Sequence, residues 1–454
     1  MGWALAASAA LIAWSCSAAS ATDFQFTRWS EDYRAYADPA LRVAPLDAIK
    51  YIPLGEGPGR YLSLGGHARI KGVALDAPLF GLTAADADGH WFQRVHLHAD
   101  LHHGPHLRAF AEVSDARVHG KDRIFPIDRN RVDLAQAFVD VADAIAGGDI
   151  VLRAGRQELY FDAAQRFVSL REGPNVRRSF EGLRLTWSIP SVRLDAFHMR
   201  LVEPRDDDAF DDRGFSGVEF SGLRARHDRG VLRFDGYAYR YVRETARFGD
   251  LLAREQRLVL GTQSVGRSGA LDWDVEAVYQ TGRFGHTDIR AWAVGGLLGY
   301  SLVETGWRPR LGLQFDAASG DRHADDDRLQ TFNPLFPRSL YFTQAGLTDF
   351  ANLLHAQVSL RLHPRPGSAL GVGAGYLARQ SRADAVYAQP FLPIPRSVTG
   401  SDAIAEYLRL EARQRVNRHV VVAAELVRYW PAPNLSEVGA ERAANAELVV
   451  RFVF

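Results

Sequence analysis

Residues 352–362 read NLLHAQVSLRL, and this stretch decides the fold. Leu354, Ala356, Val358 and Leu360 fall on one side of an extended chain. His355, Gln357, Ser359 and Arg361 fall on the other, which is the period-2 pattern of a half-buried strand. One flank is the short link HPRPG (363–367), and the other is a long link at 319–350. Moving outward, the same unit recurs in LDWDVEAVY (271–279), in the strand starting at Tyr61, and in the final AELVVRFVF (446–454). Short links at 102–106, 188–191, 227–230 and 266–269 alternate with long ones at 76–90, 117–131, 160–177, 204–212 and 381–403. A soluble sandwich has no reason to keep that parity. The pattern predicts an all-β fold: a transmembrane antiparallel β-barrel of about 18 strands, with short periplasmic turns and long extracellular loops.

A barrel can carry many charges because its closed sheet satisfies the backbone in lipid and leaves the lumen free to be polar. The last strand shows the division, with Leu448, Val450, Phe452 and Phe454 facing lipid and Glu447 and Arg451 facing inward. A terminal phenylalanine on the lipid face suits the barrel assembly machinery. Trp187, Tyr300, Tyr376 and Trp430 near strand ends suit interfacial girdles. The segments around 213–226 and 230–245 alternate poorly, and their faces stay open.

The chain carries 54 basic and 54 acidic side chains, so its bulk charge points to no nucleic-acid partner. Residues 1–21 read as a signal peptide, apolar from Ala4 to Ala13 and ending in Ala19-Ser20-Ala21. The only cysteine, Cys16, lies within it, so cleavage leaves no disulfide, no thiolate metal site and no cysteine nucleophile. Residues 22–60, with prolines at 39, 45, 53 and 58, read as an irregular periplasmic lead-in, and 61–454 as the barrel. The expected place is the outer membrane of a Gram-negative bacterium, in contact with lipid and lipopolysaccharide.

Within the barrel, Arg69, Lys71, Arg94, Arg108, Arg153, Arg184 and Arg193 are expected on the inner face of the early strands. Rings of one charge sign are how pores choose their permeant. Asp272, Asp274, Glu276, Asp316, Glu411, Glu425 and Glu447 are expected inward from later strands, giving a field across the lumen. The stretch Arg153–Trp187 holds a basic loop whose Arg166, Arg171, Arg177 and Arg178 are candidates for a constriction. The loop 319–350, with Thr331-Phe332-Asn333-Pro334-Leu335-Phe336, is too apolar for free solvent and is expected to fold inward. His96, His98 and His102 share one strand face around Asp100, but a metal site there would need a partner from another strand. The acidic runs 206–208, 211–212 and 325–327 read as solvated loops or Ca²⁺ sites. No spacing marks a catalytic trio.

Five blocks resemble the alginate export family of outer-membrane barrels: residues 28–70, LRAGRQELYF (152–161), NVRRSFEGLRL (175–185), VEAVYQTGRFGHTDIRAWAVGG (275–296) and FDAASGDRHADDDRLQTFNPLFP (315–337). The resemblance implies a porin-like channel that lets anionic polysaccharide or smaller anions leave or enter by diffusion; no cofactor and no catalysis are expected, with periplasmic secretion components as candidate partners. Arg156 of the GRQ block carries over as a pathway residue, whereas Gln136 and Glu158 stand where the alginate pore's pattern has arginine. The rival class is a barrel enzyme or surface-binding barrel with a closed lumen.

Overall fold

The computed structural model describes residues 24–55, 59–83, 89–249, 251–302, 306–323, 326–338 and 341–454. The expected signal peptide, Cys16 and Asp325 lie outside the described residues. Twenty strand segments form one sheet, and two of them, Ile52–Pro53 and Arg328–Leu329, are two-residue additions. The other eighteen make the barrel wall. They are β1 (Arg60–Asp76), β2 (Gly89–His103), β3 (Leu107–His119), β4 (Asn130–Ile145), β5 (Gly148–Gln157) and β6 (Phe180–Ile189). Next come β7 (Val192–Leu201), β8 (Val218–Arg229), β9 (Leu232–Phe248), β10 (Leu251–Ser268), β11 (Leu271–Phe284) and β12 (Thr287–Ser301). The last six are β13 (Arg310–Ala318), β14 (Leu353–Leu362), β15 (Ser368–Ala378), β16 (Ala403–Arg415), β17 (Val420–Pro431) and β18 (Ala443–Val453). Each pairs antiparallel with its neighbours, and β18 closes the ring on β1, from His67 opposite Val453 to Asp76 opposite Ala444. Closure removes the sheet edges that lipid could not satisfy.

The opening stretch lies in β14, where Leu354 and Val358 are exposed while His355 and Gln357 are buried. The same alternation leaves Ile70, Leu97, Val139, Leu183, Leu260, Leu410 and Leu448 exposed around the outer surface, a band for lipid chains. Tyr300, Tyr376 and Trp430 are also exposed near strand ends. The blurred faces of β8 and β9 have a physical cause. Their inward residues include Phe220, Tyr237, Tyr239 and Tyr241, all buried, so both faces are apolar.

Two loops break the expected alternation of long and short links. Phe248 pairs directly with Leu251 and Phe284 with Thr287, so these two links are tight although parity puts them at the loop end. Gly249 (φ 55°) and Gly285 (φ 57°) take left-handed conformations that glycine adopts without strain. The strands they join, β9 to β12, run 17, 18, 14 and 15 residues and supply height that loops supply elsewhere.

Among the described residues, three segments that fold into the lumen matter for the site. Loops 158–179 and 319–352 fold inward and bond to each other: Ser169 N donates to Phe336 O at 3.1 Å, and Phe336 N to Phe167 O at 3.1 Å. Their Phe167, Phe332, Phe336 and Phe350 join wall residues Phe180, Phe220 and Tyr241 in one buried aromatic cluster. The third segment is 24–54. In place of an irregular lead-in, it forms four 3₁₀ turns, at Arg28–Ser30, Arg34–Ala37, Pro39–Leu41 and Pro45–Lys50. It seats in the turn-end mouth, where Arg28 donates to Gly66 O (3.2 Å) and Phe454 O (2.8 Å). Lys50 donates to Leu64 O at 2.8 Å, among the rings of Phe24, Tyr33 and Phe454. A Cβ on Gly65 would lie 2.5 Å from the Lys50 ammonium, so glycine leaves the room that the lysine uses.

Candidate anion pathway

The register of three neighbouring strands builds the most charged part of the lumen. Arg69 on β1 lies directly opposite Arg451 on β18 and directly opposite Arg94 on β2. Three guanidinia therefore form one row around the closure seam. Directly opposed residues in a sheet have Cβ atoms about 4.5–5.5 Å apart, and like charges there are destabilising. Such a row needs an anion. The anion is Glu172 of loop 158–179, with its Oε1 2.6 Å from Arg94, 3.6 Å from Arg69 and also bonded by Arg451. Arg177, from the same loop, lies 2.9 Å from Glu172 Oε2 and 3.0 Å from Glu158. Burial raises a carboxyl, yet Arg94, Arg451, Arg177 and Arg69 together hold Glu172 well below the usual carboxylate range. Glu158 behaves oppositely, since burial lifts it to about 7 against the pull of Arg177.

The other expected wall residues face inward and are paired. Lys71 meets Glu447 at 3.4 Å. Arg108 bonds Asp100 at 2.7 Å, and Arg153 bonds Asp140 at 2.7 Å while covering the Trp29 ring. Arg184 and Arg193 share Asp195 at 2.7 and 3.0 Å. Arg156 bonds Glu181 at 2.7 Å and lies 3.5 Å from Asp133. Gln136 donates to Glu112 at 3.1 Å.

Loop 158–179 reaches from the arginine row to the acidic residues of β11. Its Arg166 reaches the acidic side and bonds Asp274 at 2.6 Å, with Glu276 at 3.4 Å, both from β11. Gly295 permits the approach, because a Cβ there would lie 2.8 Å from Arg166 Cδ. Tyr341 of the second loop accepts from Arg166 (2.8 Å) and donates to Asp316 (2.9 Å). The remaining loop arginines do a different job. Arg171, with φ 56°, donates to Val176 O (3.0 Å) and Arg177 O (3.4 Å). Arg178 donates to Ser169 O at 3.0 Å and covers the Phe336 ring. Neither lies on a carboxylate; both hold the plug's own backbone.

The structure does not gather His96, His98 and His102 into a set. His98 stacks on Phe110, and His102 pairs with Asp100 at 3.1 Å. His96 instead meets His67 of β1 and Glu112 of β3, and the ligand atoms of these three lie within 4.8 Å of one another. Sequence alternation turns His67 inward, but only the β1–β2 register places it opposite His96. Among the described residues, Asp133, Asp211 and Asp212 form a second group spaced for a cation. Burial raises Asp212 to about 6.

Comparisons with known proteins agree with the barrel fold. The profile of a family described as alginate export matches residues 60–446. The barrel is similar to OccD3 (OpdP) of Pseudomonas aeruginosa, with TM-score 0.56 and 14% identity, over 89% of this chain and 93% of that one. It is similar to OpdK of the same organism, solved with vanillate, with TM-score 0.55 and 12% identity over 87% and 98% of the two chains. OccK5 (OpdH), also from Pseudomonas aeruginosa, gives TM-score 0.54 and 12% identity over 87% and 98%. At these identities the likeness concerns the fold. No curated protein matches the chain.

Proposed function

Because this chain belongs to the alginate export family of outer-membrane barrels, we propose that it is a passive channel favouring anions, with an anionic polysaccharide or small carboxylates as permeant. The observation that carries the reading is the Arg451–Arg69–Arg94 row, three cations at one level of the lumen on adjacent strands. A desolvated cation row lowers the energy of a passing carboxylate more than that of a neutral sugar. Lys71, Arg108, Arg153, Arg156, Arg184 and Arg193 extend the basic surface along the same half of the wall, each moderated by an acid. The acids at Asp272, Asp274, Glu276 and Asp316 on the other half make the preference for anions moderate. Vanillate, found with one barrel of like fold, is a small carboxylate. Transport needs no cofactor and follows the gradient of the permeant.

A second reading has its own observation. The inward loops bury Phe167, Phe336, Arg94 and Arg166 at mid-lumen, as a barrel that works with a closed lumen would. Planar-bilayer recording of the purified full chain separates the two: absence of any ion current sinks the channel. The reversal potential in a potassium chloride gradient then tests the sign, and a cation-selective current sinks the role of the arginine row.

A further inference from the structure

We propose that Glu172 is a tethered stand-in for the permeant's carboxylate, occupying a binding site for uronate-type anions formed by Arg69, Arg94, Arg177 and Arg451. This deepens the anion-channel reading and rests on it. Several observations converge. One loop carboxylate collects four guanidinia from three wall strands and its own loop. The loop backbone beside it extends the mimicry: Arg69 bonds the carbonyls of Glu172 and Pro174, Lys71 that of Gly173 (3.1 Å) and Arg94 that of Asn175 (3.4 Å). A carboxylate followed by a line of oxygen acceptors is what an acidic sugar chain presents. The site also offers more donors than Glu172 uses, since the Nε groups of Arg69 and Arg94 are buried without a hydrogen bond. Buried donors of this kind are normally satisfied, so an occupant with more oxygens suits them better than one side chain does.

The remaining polar clusters explain less. The Asp133–Asp211–Asp212 group has an internal arginine partner in Arg156, and the His67–His96–Glu112 group sits beside Arg94. Among the described residues, the Glu172 site pairs an excess of one charge with an occupant carried on a loop. A short tether holds its occupant at an effective concentration on the order of millimolar. A single free uronate must reach that range to displace Glu172, whereas a polyuronate brings several carboxylates at once.

The test uses sodium glucuronate as the probe, with glucose as the neutral control, titrated calorimetrically into the detergent-solubilised full chain. Glu172→Gln removes the competing charge and is expected to bind glucuronate about tenfold more tightly than the wild type, without a change toward glucose. Adding Arg69→Ser to that variant is expected to abolish the gain. Should Glu172→Gln fail to assemble, Glu172→Asp withdraws the carboxylate by one methylene and is expected to bind more tightly than the wild type by a smaller factor. Equal affinity in the wild type and the Glu172 variants, or no binding in any folded variant, overturns the proposal. Bilayer recording runs in parallel on the same proteins. Current without a gain in affinity leaves the channel standing and removes the Glu172 site, while a gain in affinity without current does the reverse.

Discussion

Phe336→Ala should unseat the lumen plug. Phe336 is 3% exposed, and its ring lies 5.1 Å from Phe180, 5.0 Å from Phe220 and 5.8 Å from Tyr241. Its backbone forms the two backbone–backbone hydrogen bonds that join the loops, Ser169 N to Phe336 O and Phe336 N to Phe167 O. Truncating a buried phenylalanine costs about 3–5 kcal/mol, most of it through lost contacts and the cavity left behind. If that cost falls on the docked loops and not on the wall, the ratio of undocked to docked plug rises by about two to three and a half powers of ten. This is an upper bound, because Phe167, Phe332 and Phe350 still pack. Two measurements read it. Single-channel recordings should show a higher open probability, and amide hydrogen exchange should accelerate at Ser169 and at residue 336 while wall amides stay protected. Unchanged exchange at those two amides in an intact barrel would refute the idea that this ring seats the plug.

Arg171→Ser and Arg177→Ser should separate scaffold from filter. Arg171→Ser loses two bonds to loop carbonyls, worth about 1.5–3 kcal/mol each, and should loosen the loop in hydrogen exchange without moving the reversal potential. Arg177→Ser leaves Glu158 and Glu172 less compensated and should lower the anion-to-cation permeability ratio by about twofold or more; an unchanged ratio would place it with Arg171. Lys50 should make the seating of 24–54 sensitive to pH. Burial, then Arg28, depresses its ammonium from 10.5 to about 7, with Arg418 adding to the fall and Glu31 and Asp47 opposing it. A depressed lysine contributes stability that is present above the undocked value and lost as pH falls through the docked one. Protease cleavage within 24–50 should therefore quicken as pH falls from about 10 toward 7 and level off below 7, and Lys50→Met should flatten that dependence; a profile unaltered by the substitution would assign it to another group.

The wall was legible from sequence because a strand with lipid on one face and polar lumen on the other must alternate. Where the lumen is apolar, as at Tyr237, Tyr239 and Tyr241, the alternation fades and so did the reading. The tight links after Phe248 and after Phe284 had a signal in Gly249 and Gly285, which link length alone overlooked. Inward basic residues were also readable one strand at a time. Their assembly into a row was not: Arg69 and Arg451 belong to the first and last strands, and only closure with the right register sets them opposite each other. A slip of one residue would turn one of them to lipid. The occupant was equally hidden, since Glu172 looked like one of the few acids in a basic loop. The seat of 24–54 depends on a lumen surface contributed by many strands and has no periodicity of its own.

That seat has a consequence for the order of biogenesis. Arg28 bonds Gly66 from the first barrel strand and Phe454 from the chain's last residue, and Gly66 and Phe454 also exchange backbone bonds. The receptor for the N-terminal segment thus does not exist until the final strand has zipped onto the first. Docking is a completion step that unfinished barrels cannot take. It also brings the Lys50 ammonium to 5.8 Å from the ring of Phe454, so the seam and the seated segment share one cluster.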